Sequence, residues 1–166
     1  MHLKDRKAFT LIEFIIVIAL VAILAAAIFV AVDPGRRLHE SRNAERWTDI
    51  TTISNAVVKY KEDNEGNHYS TVGNLAAEEF RVIGTCTSDA RKTCTAEITG
   101  DVCVDLSEIG SKYLSVIPVD PVTGTDENSD YYLGIDPNGD VVVGACDPEG
   151  EGAGGSGAAP NIELVK

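Results

Sequence analysis

The sequence predicts an α+β protein: one long N-terminal helix, apolar at first and amphipathic later, packed on a small antiparallel β-sheet. Three observations predict it. Residues 9–32 form an apolar run that carries a single acid, Glu13. Beyond it, Leu38, Trp47, Ile50, Ile53, Val57 and Tyr60 recur at helical spacing. Near the C-terminus, Tyr131-Tyr132-Leu133-Gly134-Ile135 and Val141-Val142-Val143-Gly144 flank Asp136-Pro137-Asn138-Gly139-Asp140, turn chemistry suited to a hairpin.

The apolar run comes first. At about 1.5 Å per residue, residues 14–32 are long enough to cross a hydrocarbon core of about 30 Å as a helix. Lys4, Arg6 and Lys7 precede the run and hold that end in the cytoplasm, while Arg36 and Arg37 follow closely and weaken the bias. An ionisable group in such a helix costs about 2.5–3.5 kcal/mol on insertion scales, so Glu13 marks a function and wants a partner. The obvious partner is a positive charge brought in by another chain. Two plainer readings compete. A secretory signal peptide would use Ala25, Ala26 and Ala27 as its small-residue cleavage site, but the acid and the length of the run argue against it. A simple single-pass anchor explains the span and leaves Glu13 without a use.

The block Lys7-Ala8-Phe9-Thr10-Leu11-Ile12-Glu13, preceded by a basic leader and followed by an apolar helix, resembles the type IV prepilin family. The resemblance implies a leader, residues 1–8, removed by a membrane aspartyl peptidase between Ala8 and Phe9. It implies N-methylation of the Phe9 amine, and assembly into a helical filament in which Glu13 pairs with the Phe9 amine of a neighbouring subunit. The chain departs from the family in one place, with Ala8 where glycine is usual. A second segment, residues 113–124 with Pro118, Asp120, Pro121 and Gly124, followed by Tyr131-Tyr132, resembles the "Pro-x-Asp-Pro…Gly…Tyr-Tyr" stretch of pilins and secretion pseudopilins. The implied fold is the pilin fold.

The implied function is structural: a subunit of a type IV pilus, a surface filament for adhesion, motility or DNA uptake. The alternative is a type II secretion pseudopilin, and a membrane-tethered binding module that uses its acidic loops comes after both. The implied partners are further copies of the chain and other pilins, the prepilin peptidase, the inner-membrane assembly platform with its ATPase, and membrane lipid before assembly. DNA as a partner is left open. The implied location is a single pass in the cytoplasmic membrane, then an extracellular pilus.

Residues 9–35 are thus expected to be the transmembrane and filament-core helix. Asp33-Pro34-Gly35 ends the uninterrupted run, and Pro34 with Gly35 predicts a kink, since proline lacks a donor and glycine is a poor helix former. Residues 36–62 continue as the amphipathic half, with Arg42, Glu45, Arg46, Asp49 and Lys59 between the apolar positions, and residues 63–67 stop it. That half cannot bury its stripe alone and needs a sheet. Residues 63–148 supply it as the sheet domain. Within them, 74–80 predict a helical turn, 80–84 and 102–106 short strands, and 107–115 a turn or short helix. Residues 149–166, rich in Gly, Ala, Pro and Glu, predict a flexible tail.

The chain has 166 residues and a net charge of −12; loss of residues 1–8 removes three bases and one acid and leaves −14. Such an exterior disfavours nonspecific adhesion to DNA or anionic lipid. Cys86, Cys94, Cys103 and Cys146 all fall on the exported side, and an even number there predicts two disulfides. Of the three possible connectivities, Cys86–Cys94 and Cys103–Cys146 are favoured: the first closes a short polar loop, the second ties residues 102–104 to the end of residues 141–143. His2, His39 and His68 are scattered and carry no ligand pattern; the last two predict solvated surface positions. Asp120, Asp126 and Asp130 line one loop and Asp136 and Asp140 another, oxygen-rich but without an EF-hand pattern, so metal binding stays undecided and solvated acidic turns are the plainer reading. Gly150, Gly152 and Gly155 satisfy a dinucleotide-binding spacing, but no strand precedes them and no helix follows. No Gly-x-Ser-x-Gly, Walker loop or His-Glu-x-x-His appears. The sequence predicts no cofactor and no enzyme.

Overall fold

The computed structural model describes residues 9–85, 87, 94–100 and 102–166. Two helices in series open the chain: α1, Leu11–Val32, and α2, Pro34–Asp63. A short helix α3, Ser70–Gly73, leads into a four-stranded antiparallel sheet of β1, Phe80–Val82, β2, Tyr131–Ile135, β3, Val141–Ala145, and β4, Glu163–Val165, in the order β1-β2-β3-β4. This is the α+β arrangement that the patterning predicts, a long N-terminal helix with a small antiparallel four-stranded sheet, and it is consistent with a pilin fold.

The two helices meet at one residue. Asp33 adopts the left-handed conformation, φ 46° and ψ 73°, and serves as C-cap of α1 and N-cap of α2. Pro34 is the first residue of α2, where its missing N–H is no loss and its fixed φ suits a helix start. The break expected at Pro34 and Gly35 therefore falls one residue earlier, and both sit in the first turn of α2.

The core lies between α2 and one face of the sheet. Ile50, Ile53 and Val57 pack with Tyr131, Leu133, Val141 and Val143, all at most 1% exposed. Each such side chain contributes about 1.5–3 kcal/mol of burial. The period of two along the strands sends Tyr132 and Val142 to the opposite face, where they join Val82 and Cys146 in a smaller cluster. There the Tyr132 ring lies across Gly144, its register partner on β3; a Cβ on Gly144 would stand 2.3 Å from that ring. The strand thus uses glycine where an aromatic must cover its neighbour.

The structure corrects several expectations. The segment 149–166 is an ordered part of the fold and not a loose tail: residues 153–155 form a 3-10 turn against α2, and β4 completes the sheet, with Val143 opposite Leu164. The sheet had an unpaired edge at β3, and backbone donors there favour a fourth strand. Cys146 pairs with Cys94, Cα–Cα 4.7 Å, in place of the expected Cys103–Cys146 link. The reason is positional: the Ala96 N–H donates to the Cys146 carbonyl at 3.0 Å, which lays residues 94–100 beside the end of β3. Cys103 is also disulfide-bonded; Cys86, and with it the closed loop expected for Cys86–Cys94, lies outside the described residues, and the pairing of Cys94 to Cys146 overturns that link too. The helical turn expected over 74–80 occurs earlier, as α3. The strand expected over 102–106 shrinks to one parallel bridge, Val104 to Ile83.

Candidate functional site

At the N-terminus, local chemistry starts α1. Thr10 is the N-cap and Glu13 the third residue of the first turn, a capping box. The Glu13 N–H donates to Thr10 Oγ1 at 3.2 Å, while the Thr10 N–H and Oγ1–H both donate to Glu13 Oε2 at 2.9 Å. So within the single chain the Glu13 carboxylate already accepts two hydrogen bonds from Thr10, before any positive charge of another chain reaches it. Phe9 stands 82% exposed just ahead of the cap. Ala8 and the leader lie outside the described residues, so the cleavage junction is described on the Phe9 side alone.

No residue of α1 is buried. Its twenty-two apolar-rich residues, about 33 Å of helix, stay exposed along their whole length among the described residues. The segment is long and apolar enough to cross a membrane. Such a helix is stable in lipid or against other helices of its kind, because water leaves its whole circumference unfavourably solvated.

The second charged constellation joins α2 to two distant loops. Arg46, 1% exposed, makes a two-pronged contact with Asp120: Nε to Oδ2 at 2.6 Å and Nη2 to Oδ1 at 3.2 Å. Its Nη1 donates to Glu149 Oε2 and to Asn43 Oδ1, each at 2.9 Å. Asp120 Oδ1 also accepts the N–H groups of Val122 and Thr123 at 2.8 and 3.1 Å. Burial pushes the Asp120 carboxyl up, but the Arg46 guanidinium and these N–H groups outweigh it and hold the carboxyl below the usual range. The same balance, burial against Arg46 and Arg42, lowers Glu149. Alongside, Tyr131 Oη–H donates to Asp49 Oδ2 at 2.7 Å; burial pushes both groups up, the tyrosine strongly.

The sequence places Arg46 among the polar residues between apolar positions, which suggests the solvent face. The structure buries it. Its spacing of four and seven residues from Ile50 and Ile53 puts it on the buried stripe, a signal that was available in the sequence. The acidic loops are likewise occupied by the protein's own groups. Asp120 binds Arg46, and Asp136 accepts the N–H groups of Asn138 and Asp140 at 2.9 and 2.8 Å. Among the described residues no group of three or more His, Cys, Asp or Glu is arranged to hold a metal ion. His39 is half-buried, its Nδ1 donating to the Gly150 carbonyl at 2.8 Å, and His68 is half-buried with Nδ1 unpartnered, so neither is the fully solvated residue expected.

Fold and helix together define a class: a protein with an exposed apolar helix long enough to span a membrane and a sheet domain packed on that helix's continuation. Residues 3–29 match the family model of the prokaryotic N-terminal methylation motif, the hallmark of type IV pilin and prepilin-like proteins. Over this N-terminal segment the chain is similar to type IV pilins and pseudopilins, and the match supports a pilin-like or pseudopilin-like protein. No curated protein and no solved structure gives a significant match.

Proposed function

We propose that the chain is the structural subunit of a type IV pilus, stored as a single pass in the cytoplasmic membrane and polymerised through α1 once the leader is cut before Phe9. The observation that carries this is an apolar helix with no buried residue whose one acid, Glu13, stands four residues from the new amino terminus. Packing α1 among copies of itself removes its surface from lipid and creates a dry core. In that core Glu13 exchanges Thr10 for the methylated Phe9 amine of a neighbour, an attraction strengthened by the low dielectric. The acidic sheet domain then faces water. Its partners in this reading are other copies, the prepilin peptidase and the assembly platform with its ATPase.

The test is expression with the assembly machinery, followed by comparison of sheared surface filaments with the membrane pool. Filament subunits should have lost residues 1–8 and gained one methyl group by intact mass. Glu13→Ala should leave the membrane pool intact or larger, since a charge leaves the span, and should abolish sheared filaments. A mature chain starting after Ala27, or a Glu13→Ala variant that assembles like the parent, would defeat the reading. Subunits confined to a short periplasmic fibre would instead favour a secretion pseudopilus.

A further inference from the structure

The joint between α1 and α2 should by itself be soft. Asp33 is a non-glycine residue at φ 46°, and Pro34 lacks the N–H that would continue the helical ladder. Yet the joint is covered. The Gly154 N–H donates to Asp33 Oδ2 at 2.8 Å, while Oδ1 of the same carboxylate accepts the Arg36 N–H at 3.3 Å. The fit is close: a Cβ on Gly35 would stand 3.0 Å from the Gly154 carbonyl oxygen, and one on Gly155 would stand 2.6 Å from the His39 ring.

Further along α2 the same segment is bolted down by charge. Glu149 accepts from Arg42 Nη1 and Arg46 Nη1, each at 2.9 Å. Asn43 exchanges bonds with its backbone in both directions, Nδ2 to the Glu149 carbonyl at 2.7 Å and the Glu149 N–H to Oδ1 at 3.0 Å. Asn43 Nδ2 also donates to Glu151 Oε1 at 2.8 Å. The segment holds its own turn through the Gly152 N–H to the Ser156 carbonyl, 2.6 Å. These contacts serve no element of the sheet. They tie a glycine-rich stretch 121 residues away in sequence onto the single non-helical residue between the membrane helix and the rest.

We propose that residues 149–157 are a clasp that locks the α1–α2 joint, and that undocking the clasp is what lets α1 change direction relative to the sheet domain. Bonded at Glu149 to the buried Arg46 and at Gly154 to Asp33, the docked clasp braces the left-handed residue from one side and removes its freedom to re-enter a continuous helix or bend further. The device acts in the single subunit, so it stands or falls apart from the filament reading.

Hydrogen–deuterium exchange on the full chain in lipid nanodiscs tests it. Gly155→Leu drives a side chain into the His39 ring and displaces the clasp while leaving Asp33, Pro34 and Gly35 unaltered, so the joint is read at residues 35–38 ahead of the collision. Exchange of the amides of residues 35–38 should rise roughly tenfold or more, as for losing a hydrogen bond to a carboxylate, while peptides from β2 and β3 keep the parent's protection. Glu149→Gln, which adds no volume, should raise joint exchange in the same direction and decides the matter should Gly155→Leu loosen the sheet. If amides 149–157 exchange freely in either variant while 35–38 stay protected, the segment is not a clasp and the inference is overturned.

Discussion

Arg46→Met is the substitution that most directly probes how α2 is held to its loops. The side chain is 1% exposed and Asp120's is 0% exposed, so water cannot replace the guanidinium. Removing one member of a buried pair typically costs 3–5 kcal/mol, because the remaining charge is left uncompensated. Asp120 keeps the Val122 and Thr123 N–H groups, and Glu149 keeps Arg42, so the lower end applies, about 3 kcal/mol. Methionine preserves most of the volume, so little of this is a cavity effect. Asp120→Asn alone should cost less, since the guanidinium retains Glu149 and Asn43. The double variant should cost about 0.5–3 kcal/mol less than the sum, as expected for residues in contact. Trp47 is the chain's one tryptophan and adjoins Arg46, so its fluorescence follows urea unfolding of the full chain in detergent. A shift in midpoint at unchanged slope reads stability. A cost for Arg46→Met within about 0.5 kcal/mol of zero, the size of a surface substitution, would refute the reasoning, as would strict additivity of the pair.

Two further outcomes are expected. Non-reducing peptide mapping should link Cys94 to Cys146; because these residues lie 52 apart, opening that bridge should cost about 4 kcal/mol on the chain-entropy account, and a Cys103–Cys146 peptide would contradict the structure. Acid should weaken the attachment of both loops. Asp120 and Glu149 have folded-state values below their unfolded ones, so their contribution is present above the unfolded range of about 3.9–4.3 and is lost as pH falls through the folded values. Asp49, raised by burial, runs the opposite way, its contribution present at low pH and lost as pH rises through its folded value. A urea midpoint that falls below about pH 4 in the parent but much less in an Asp120→Asn variant is the expected result; equal acid sensitivity in both would assign the effect elsewhere.

The features that the sequence alone determined are those whose causes are local. The length and composition of residues 9–32 suffice for an exposed apolar helix, because a run that long has no polar face to turn outward. Thr10 and Glu13 are three residues apart, so a capping box follows from helical geometry. The hairpin follows from residues 136–140, where Asp136 locks its own turn. The amphipathic stripe of α2 announces a sheet partner, and Tyr131 and Leu133 provide it. What only the tertiary structure decided are matters of partners far along the chain. Arg46 is buried because Asp120 and Glu149, 74 and 103 residues later, converge on it; no local pattern distinguishes that arginine from a solvated one except its place on the stripe. Cys94 meets Cys146 because of where residues 94–100 lie against β3, which spacing does not encode. The C-terminal stretch has the composition of a loose tail, with few apolar side chains to bury. It is held instead by backbone donors and acceptors that Asp33, Asn43 and β3 satisfy, by the Glu149 carboxylate on Arg42 and Arg46, and by the buried Ile162; hydrogen bonds made by the main chain leave almost no trace in side-chain composition.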